Sequence, residues 1–160
     1  TLQNVTSTQN FDAGYEEMNG SVIEYCPPQG TTLLIYEYNF CSRASHTHKI
    51  VLLRLEIKDP TISSSWKIVG PSQFGNTEYG HTNTSDSHSV KVPITIETNG
   101  VENSTTDLEA GKLKNCNNPL HFRVTASGMS GSHDWTAHRG YYVQGTPVSQ
   151  PKITLIAIKQ

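Results

Sequence analysis

The stretch TTLLIYEYNFCSRASHTHKIVLLRLEIKD, residues 31–59, decides the fold class of this 160-residue chain. It contains two runs with β-strand character, 31–40 and 49–58, joined by a polar segment that carries one cysteine and two histidines. In the second run, aliphatic residues alternate with polar ones, and a strand with this two-residue period buries one face and exposes the other. Its predicted inward residues are Val51, Leu53, Leu55 and Ile57, and its predicted outward residues are Arg54, Glu56 and Lys58.

The first run predicts a strand that is central in its sheet or covered on both sides. Neither of its faces is purely polar, and a half-exposed strand would show one polar face. The two faces hold Leu34, Tyr36 and Tyr38 on one side and Leu33, Ile35 and Glu37 on the other.

The rest of the chain continues the β pattern. Residues 71–87 are rich in Gly, Asn, Thr and Ser and predict a long loop, while 103–114 allow one helical turn and little more. Pro93 requires an edge position or a bulge, because proline cannot donate to a sheet ladder. Further strands are predicted at 20–26, 65–70, 90–97, 121–127, 139–145 and 152–159. About eight strands without a long helix predict an all-β, two-sheet β-sandwich, with an up-and-down barrel as the alternative.

The length and the 34% hydrophobic content predict one domain that spans residues 1–160. Residues 1–19 are largely polar and are predicted to form an acidic arm laid over the core rather than a strand. The chain begins at Thr1 without a methionine or a signal peptide, so we expect it to be a processed or excised piece of a longer protein. No apolar run approaches the roughly 18 residues that span a bilayer, so we expect no membrane insertion.

The charge distribution is more informative than the net charge of −2. Lys and Arg do not cluster, which argues against a nucleic-acid partner. Residues 1–42 contain five acidic residues and no basic ones, whereas the remaining 118 carry nine acidic and twelve basic. An acidic end favours a cationic partner if its charges gather on one face, and a solvated acidic edge without a partner is the alternative.

Four N-x-S/T sequons, at Asn4, Asn19, Asn83 and Asn103, would suit a secreted glycoprotein. Roughly two or three are expected by chance in a chain of this Asn, Ser and Thr content, so the sequons decide little by themselves.

Three cysteines, Cys26, Cys41 and Cys116, lie in separate segments without C-x-x-C spacing, which argues against a zinc knuckle or a redox motif. Secretion would pair two of them and leave one over, and the sequence does not decide which two.

The candidate catalytic and metal patterns are weak. His46 and His48 would face the same side of an extended chain, but no segment offers an obvious further pair of ligands. The run SGSHDW, 130–135, places a serine, a histidine and an aspartate in succession, and consecutive side chains do not meet as a triad does. We therefore expect no enzymatic activity and no metal, and a binding module remains.

Three stretches resemble a known family: GSVIEYC (20–26), LLIYEYNFCSRASHTHKIVLLRLEIKD (33–59) and KNCNNPLHFRVTASG (114–128). Together with the acidic arm, they are similar to the C-terminal SECRET domain of orthopoxvirus secreted tumour necrosis factor receptor homologues, of the CrmB and CrmD type. The resemblance covers the whole chain. Residues 114–124 are also similar, with one residue inserted, to a segment of the poxvirus secreted chemokine-binding protein.

The resemblance implies a β-sandwich similar to that chemokine-binding protein, which captures host chemokines in the extracellular space without catalysis or a cofactor. It also implies upstream cysteine-rich domains that bind the cytokine, and that pattern is absent from these 160 residues. Cytokine binding is therefore not expected of this chain.

Charge and aromatic content, not the resemblance, select the candidate binding residues. Chemokines are small and basic, so carboxylates and tyrosines on one surface would complement them. The predicted chemokine-binding residues are Asp12, Tyr15, Glu16 and Glu17 in the arm, with Tyr36, Glu37 and Tyr38 in the strand behind it. The alternative for the strand tyrosines is a place in the core, and for the arm carboxylates simple solvation.

A carbohydrate-binding sandwich is the alternative function. It would use Trp66, Trp135 or the Tyr141–Tyr142 pair as stacking platforms for sugars. The exposure of these aromatic rings separates the two functions, because a lectin needs at least one of them open beside polar loop residues.

Overall fold

The computed structural model describes residues 5–11, 14–44, 49–69, 74–78, 85–97, 102–114, 118–128, 135–138 and 150–159. Within these ranges the chain forms twelve strands and one short helix, α1 (Thr105–Ala110). The strands are β1 (Gln9–Phe11), β2 (Glu16–Glu17), β3 (Ile23–Tyr25), β4 (Thr31–Ala44), β5 (Lys49–Lys58), β6 (Lys67–Ile68), β7 (Phe74–Glu78), β8 (Ser85–Ile96), β9 (Lys112–Leu113), β10 (Leu120–Gly128), β11 (Trp135–Ala137) and β12 (Lys152–Lys159). They divide into two six-stranded sheets, which confirms the predicted all-β sandwich, although the described residues form twelve strands rather than about eight.

The first sheet is built around β4, as its two apolar faces predict. Its order is β1-β11-β4-β8-β9, and β12 pairs with β4 on the side that β11 also occupies. All of these pairs are antiparallel except β8 with β9. Pro93 lies opposite Ile35, and β9 reaches only Thr95 and Ile96, so within the described residues the proline occupies an open edge, as predicted.

The second sheet is built around the antiparallel pair β5 and β10. On the far side of β10 lie β2 and β3, and on the far side of β5 lie β6 and β7. The register places Arg123 opposite Glu56 and Thr125 opposite Arg54, with Phe122 opposite Ile57. Charged residues therefore share the outer face, and the aliphatic and aromatic residues face the first sheet.

The core lies between the two sheets and is formed by the predicted inward faces. Tyr36 from the first sheet stacks on Phe122 from the second, with ring centroids 6.0 Å apart. Each buried aliphatic side chain contributes about 1.5–3 kcal/mol relative to exposure, so these facing rows hold the sheets together. The predicted inward residues that the structure describes as buried include Leu53, Leu55, Ile57, Val90, Val92, Ile94, Ile96, Phe122 and Val124.

Three expectations need correction or fall outside the described residues. The arm contains strands β1 and β2, because its backbone pairs with β11 and β10 even though its side chains are polar. The predicted loop at 71–87 contains β7 and the start of β8. These segments are strands because they pair with β5 and β4, respectively. The predicted strand at 139–145 lies outside the described residues.

Helix α1 is the predicted single turn, and its ends follow ordinary capping rules. Ser104 is the N-cap and exchanges hydrogen bonds with Asp107 in a capping box. These bonds from Ser104 to the charged form lower the pKa of Asp107 to about 2. Gly111 ends the helix in the left-handed conformation, with φ of 64°.

Candidate binding surface

Residues 14–25 run along one edge of the second sheet. β2 and β3 both pair with β10, and a turn at Asn19 and Gly20 separates them. The turn is closed by a 3.1 Å hydrogen bond from the Ser21 amide to the Met18 carbonyl oxygen, and Gly20 supplies the positive φ of 73°. Met18 is fully buried, so it anchors this edge segment in the core.

Two polar contacts fix the same edge segment to its surroundings. The Gln9 carboxamide donates to the Glu17 carbonyl oxygen at 2.7 Å and accepts from the Asn19 amide at 2.8 Å. The Ser21 hydroxyl donates to the Val124 carbonyl oxygen and accepts from the Val124 amide, both at 3.0 Å. The backbone from Glu17 to Ser21 is therefore held by β1 on one side and by β10 on the other.

Three exposed carboxylates lie on this segment, and we call Glu16, Glu17 and Glu24 the acidic edge. The side chains of Glu17 and Glu24 are 44% and 60% exposed. Glu17 is opposite Thr125 and Glu16 is opposite Ala126, so these two neighbours project to different faces of the sheet. The acidic edge therefore presents charge both on the outer face and around the rim.

A buried carboxylate lies behind the acidic edge, on the outer face of the second sheet. The Glu56 side chain is 4% exposed and binds Arg54 at 2.7 Å and Arg123 at 2.6 Å. Arg123 also binds Glu17 at 3.1 Å, and Thr125 donates to Glu56. A desolvated carboxylate is stable only when it is paired and hydrogen-bonded in this way. The two guanidinium groups are consequently fixed in position.

Two aromatic rings lie over these cations. The guanidinium carbon of Arg54 is 3.7 Å from the ring centroid of Tyr15. The guanidinium carbon of Arg123 is 4.3 Å, and the ammonium nitrogen of Lys58 4.8 Å, from the ring centroid of Trp66. Such cation–π contacts contribute about 0.5–2 kcal/mol each and orient both partners. Arginine, tyrosine and tryptophan are also the residue types most enriched at protein interfaces.

The structure brings together part of the predicted site. Tyr15, Glu16 and Glu17 lie side by side on the edge, and Glu24, which sequence reasoning did not select, extends the same edge. Asp12 lies outside the described residues.

Tyr36 and Tyr38 lie in the core and are not exposed beside the acidic edge, so the prediction that they line a surface site is corrected. Both residues have no exposed surface, and their hydroxyls donate to the carbonyl oxygens of Ser21 at 2.7 Å and Asn19 at 2.8 Å. Burial raises the pKa of each phenol well above its ordinary value, so both remain protonated donors. They support the edge segment from the core side, which is the alternative that the sequence left open.

Glu37 lies on the opposite outer face of the molecule from the acidic edge. The prediction that Glu37 shares one surface patch with Glu16 and Glu17 is therefore wrong. Alternation along β4 points Tyr36 and Tyr38 toward the second sheet and hence Glu37 away from it. Its carboxylate accepts from Asn39 at 3.2 Å and from Ser89 at 3.3 Å, and Lys91 is its cross-strand neighbour.

Residues that bear on the alternative functions are only partly described. Trp66 is half-buried, and the cations of Arg123 and Lys58 lie against its ring, so at least part of its π surface is occupied. The side chain of Trp135 and residues Tyr141 and Tyr142 lie outside the described residues, so their role in carbohydrate binding stays a prediction.

His46 and His48, and residues 130–134 of the SGSHDW run, also lie outside the described residues. Among the residues that the structure does describe, no group of three or more His, Cys, Asp or Glu side chains is arranged to hold a metal ion. No helix in the described part of the chain is long and apolar enough to cross a membrane.

No protein-family model matches this sequence, and no curated protein matches it. Among solved structures, the chain is similar to one of infectious bursal disease virus Gt strain, with 9% identity and a TM-score of 0.43, covering 98% of this chain and 32% of that chain. It is also similar to one of the Gx strain, with 14% identity and a TM-score of 0.39, covering 93% of this chain and 33% of that chain. This chain thus spans about a third of the length of either virus chain, and similarity at this level identifies no function.

Proposed function

We propose that this domain is a protein-capture module that binds a small basic protein along the acidic edge. One observation carries the proposal: the edge carboxylates are more exposed than the cations behind them. The side chains of Glu17 and Glu24 are 44% and 60% exposed, whereas those of Arg54 and Arg123 are each 22% exposed. A partner that approaches this edge meets negative charge first, and such charge accelerates association with a cationic protein.

The support behind the edge favours binding over a merely solvated face. Gln9, Tyr36 and Tyr38 hold the backbone of the edge segment, and Glu56 fixes both arginines. Binding to a surface that is ordered in advance loses less conformational entropy, so more of the contact energy becomes affinity. Tyr15 and Trp66 supply aromatic area beside the carboxylates.

On the basis of the resemblance to the SECRET domain, we propose that the partner is a host chemokine, which is bound outside the cell and not chemically altered. Chemokines fit the charge requirement because they are small basic proteins. This identity depends on the quoted stretches of sequence, whereas the location of the docking surface depends on the exposed carboxylates.

The test measures association of chain 1–160, made in bacteria, with a chemokine panel at low and high salt. The double variant Glu16→Gln/Glu24→Gln is expected to lower the association rate about 3–10-fold at low salt and to flatten its salt dependence. Glu97→Gln, which removes one charge at an exposed position just after β8, is the control for each single edge variant and should leave the rate unchanged. Equal rates for the wild type and the double variant would remove the acidic edge from the site, and failure of every chemokine to bind would refute the partner.

A further inference from the structure

The sequons at Asn19 and Asn103 are alike in sequence but lie in opposite environments. Asn19 is exposed at the centre of the turn between β2 and β3. Asn103 is 5% exposed and precedes helix α1. A glycan is bulky and hydrophilic and requires a surface site.

The Asn103 side chain acts as a structural clamp. Its amide nitrogen donates to Asp59 Oδ2 at 3.0 Å, and its amide oxygen accepts from the Lys114 backbone amide at 2.8 Å. Asp59 is itself 4% exposed and accepts from the amide and the hydroxyl of Thr61 at 2.9 and 2.6 Å. A sugar on the Asn103 nitrogen would have to occupy the space that Asp59 fills, so the glycosylated chain could not close this contact.

Among the described residues, the Asn19 side chain makes no contact comparable to that of Asn103. The hydrogen bonds of Asn19 to these residues are made by its backbone: the amide donates to Gln9, and the carbonyl oxygen accepts from Tyr38. The residue projects from an edge of the sheet rather than from its packed face. A glycan at this position leaves every one of those backbone contacts intact.

We infer that Asn19 is an N-glycan acceptor and that the Asn103 sequon stays unmodified in the folded, exported protein. The inference depends on the secretion that the proposed function requires. In the transfer, the Asn19 amide nitrogen forms a bond to the anomeric carbon of a lipid-pyrophosphate-linked oligosaccharide. The bond from that carbon to the pyrophosphate oxygen breaks, the lipid pyrophosphate leaves, and the amide loses one proton. Chains glycosylated at Asn103 before folding would fail to form the clamp and would be retained in the cell.

The sequence allows a matched measurement of the two sites. Cleavage after glutamate releases residues 18–24 (MNGSVIE) and 103–109 (NSTTDLE), two seven-residue peptides with one sequon each. Chain 1–160 is exported from mammalian cells behind a cleavable signal, and its glycans are removed enzymatically in ¹⁸O water, which marks each formerly glycosylated asparagine. A parallel sample without the glycosidase is subtracted, because Asn19 precedes Gly20 and Asn-Gly also takes up the label by spontaneous deamidation. Mass spectrometry of the secreted fraction should find the mark in most copies of 18–24 and in almost none of 103–109.

An unmarked 18–24 peptide or a marked 103–109 peptide in the secreted protein would overturn the inference. Synthetic peptides spanning 16–24 and 100–109 serve as acceptors in microsomes, and both should accept the oligosaccharide to a similar extent. If the Asn103 peptide were not glycosylated, burial would not be the reason that Asn103 carries no glycan in the folded protein. Asn19 lies between Glu17 and Glu24, so a glycan there narrows the part of the acidic edge that a partner can reach, and the secreted chain should associate more slowly than the bacterial one. The docking experiment uses bacterial protein without glycans, so the proposed function and this inference can fail separately.

Discussion

The phenolic hydroxyl of Tyr38 donates a 2.8 Å hydrogen bond to the backbone carbonyl oxygen of Asn19. The bond runs from the centre of the first sheet to the turn on the edge of the second, 19 residues away in sequence. Tyr36 makes the parallel bond to Ser21. Two residues that the sequence suggested as binding residues thus act by holding the turn of the edge segment in place.

Tyr38→Phe is expected to lower the free energy of unfolding by about 1 kcal/mol, because one partly buried hydrogen bond is lost without a cavity. Hydrogen exchange should quicken at the backbone amides around Asn19 more than in β5. Tyr25→Phe, at a half-buried position of β3, is the matched control and should change the stability by less than about 0.5 kcal/mol. Equal effects of the two changes would show that the hydroxyl of Tyr38 does not hold the turn.

Glu56→Gln should be among the more damaging single-atom changes on the outer face. It removes both ion pairs and leaves Arg54 and Arg123 facing each other across a desolvated site. The expected loss is about 2–4 kcal/mol in urea unfolding. Glu109→Gln breaks the exposed Lys67–Glu109 pair at 3.6 Å and should cost about 0.5 kcal/mol or less. Similar losses for the two variants would contradict the clamping role of Glu56.

The sequence predicts the strands well where alternation is long and poorly where pairing creates the strand. β5 and β12 have the predicted bounds, 49–58 and 152–159, because each carries its own apolar pattern. β1, β2 and β7 are short and polar or glycine-containing, so only their partners make them strands.

The candidate site was predictable only in its local part. Tyr15, Glu16 and Glu17 are neighbours in the chain and stay neighbours in the fold. The Arg123–Glu56 pair spans 67 residues and depends on the register of β5 and β10, which the single sequence does not specify. Alternation placed Glu37 correctly on the other face of β4 from Tyr36 and Tyr38. It did not predict which of these two faces packs against the second sheet.

Gly111→Ala should be more destabilising than Gly30→Ala, although both glycines have positive φ. Gly30, with φ of 81°, has no heavy atom within 4 Å of an added Cβ, so alanine there costs only backbone strain of about 1–2 kcal/mol. At Gly111, with φ of 64°, the Cβ would lie 3.0 Å from Cγ1 of Val69. Val69 is buried, and its backbone amide donates a hydrogen bond to the Leu55 carbonyl oxygen, so it has little room to move. Urea unfolding of the two variants checks this order, and a smaller loss for Gly111→Ala would contradict it.

We expect His138 to make the stability of the fold sensitive to mild acid. The side chain has no exposed surface, and within the described part of the chain neither ring nitrogen has a well-aligned hydrogen-bond partner, although the Asn19 backbone interacts with the ring and opposes part of the effect of burial. Burial lowers the pKa of His138 to about 4 from its ordinary value of 6.5, so the folded protein holds the neutral ring. The contribution of the neutral His138 ring to the free energy of unfolding is complete above pH 6.5. It is lost as the pH falls toward 4, because the unfolded chain takes up the proton first. We expect a loss of about 2 kcal/mol between pH 7.5 and pH 5.

His138→Asn separates this contribution from general acid effects. Asparagine tolerates the left-handed backbone that residue 138 adopts, with φ of 62°, and it does not titrate. The variant is less stable overall, but its stability should fall by about 2 kcal/mol less than that of the wild type between pH 7.5 and pH 5. His121→Gln, a change at a half-exposed position on the outer face, should keep the full acid loss. Urea unfolding curves at the two pH values measure this difference in the free energy of unfolding. If His138→Asn kept the pH dependence of the wild type, another group would be the acid-sensitive one.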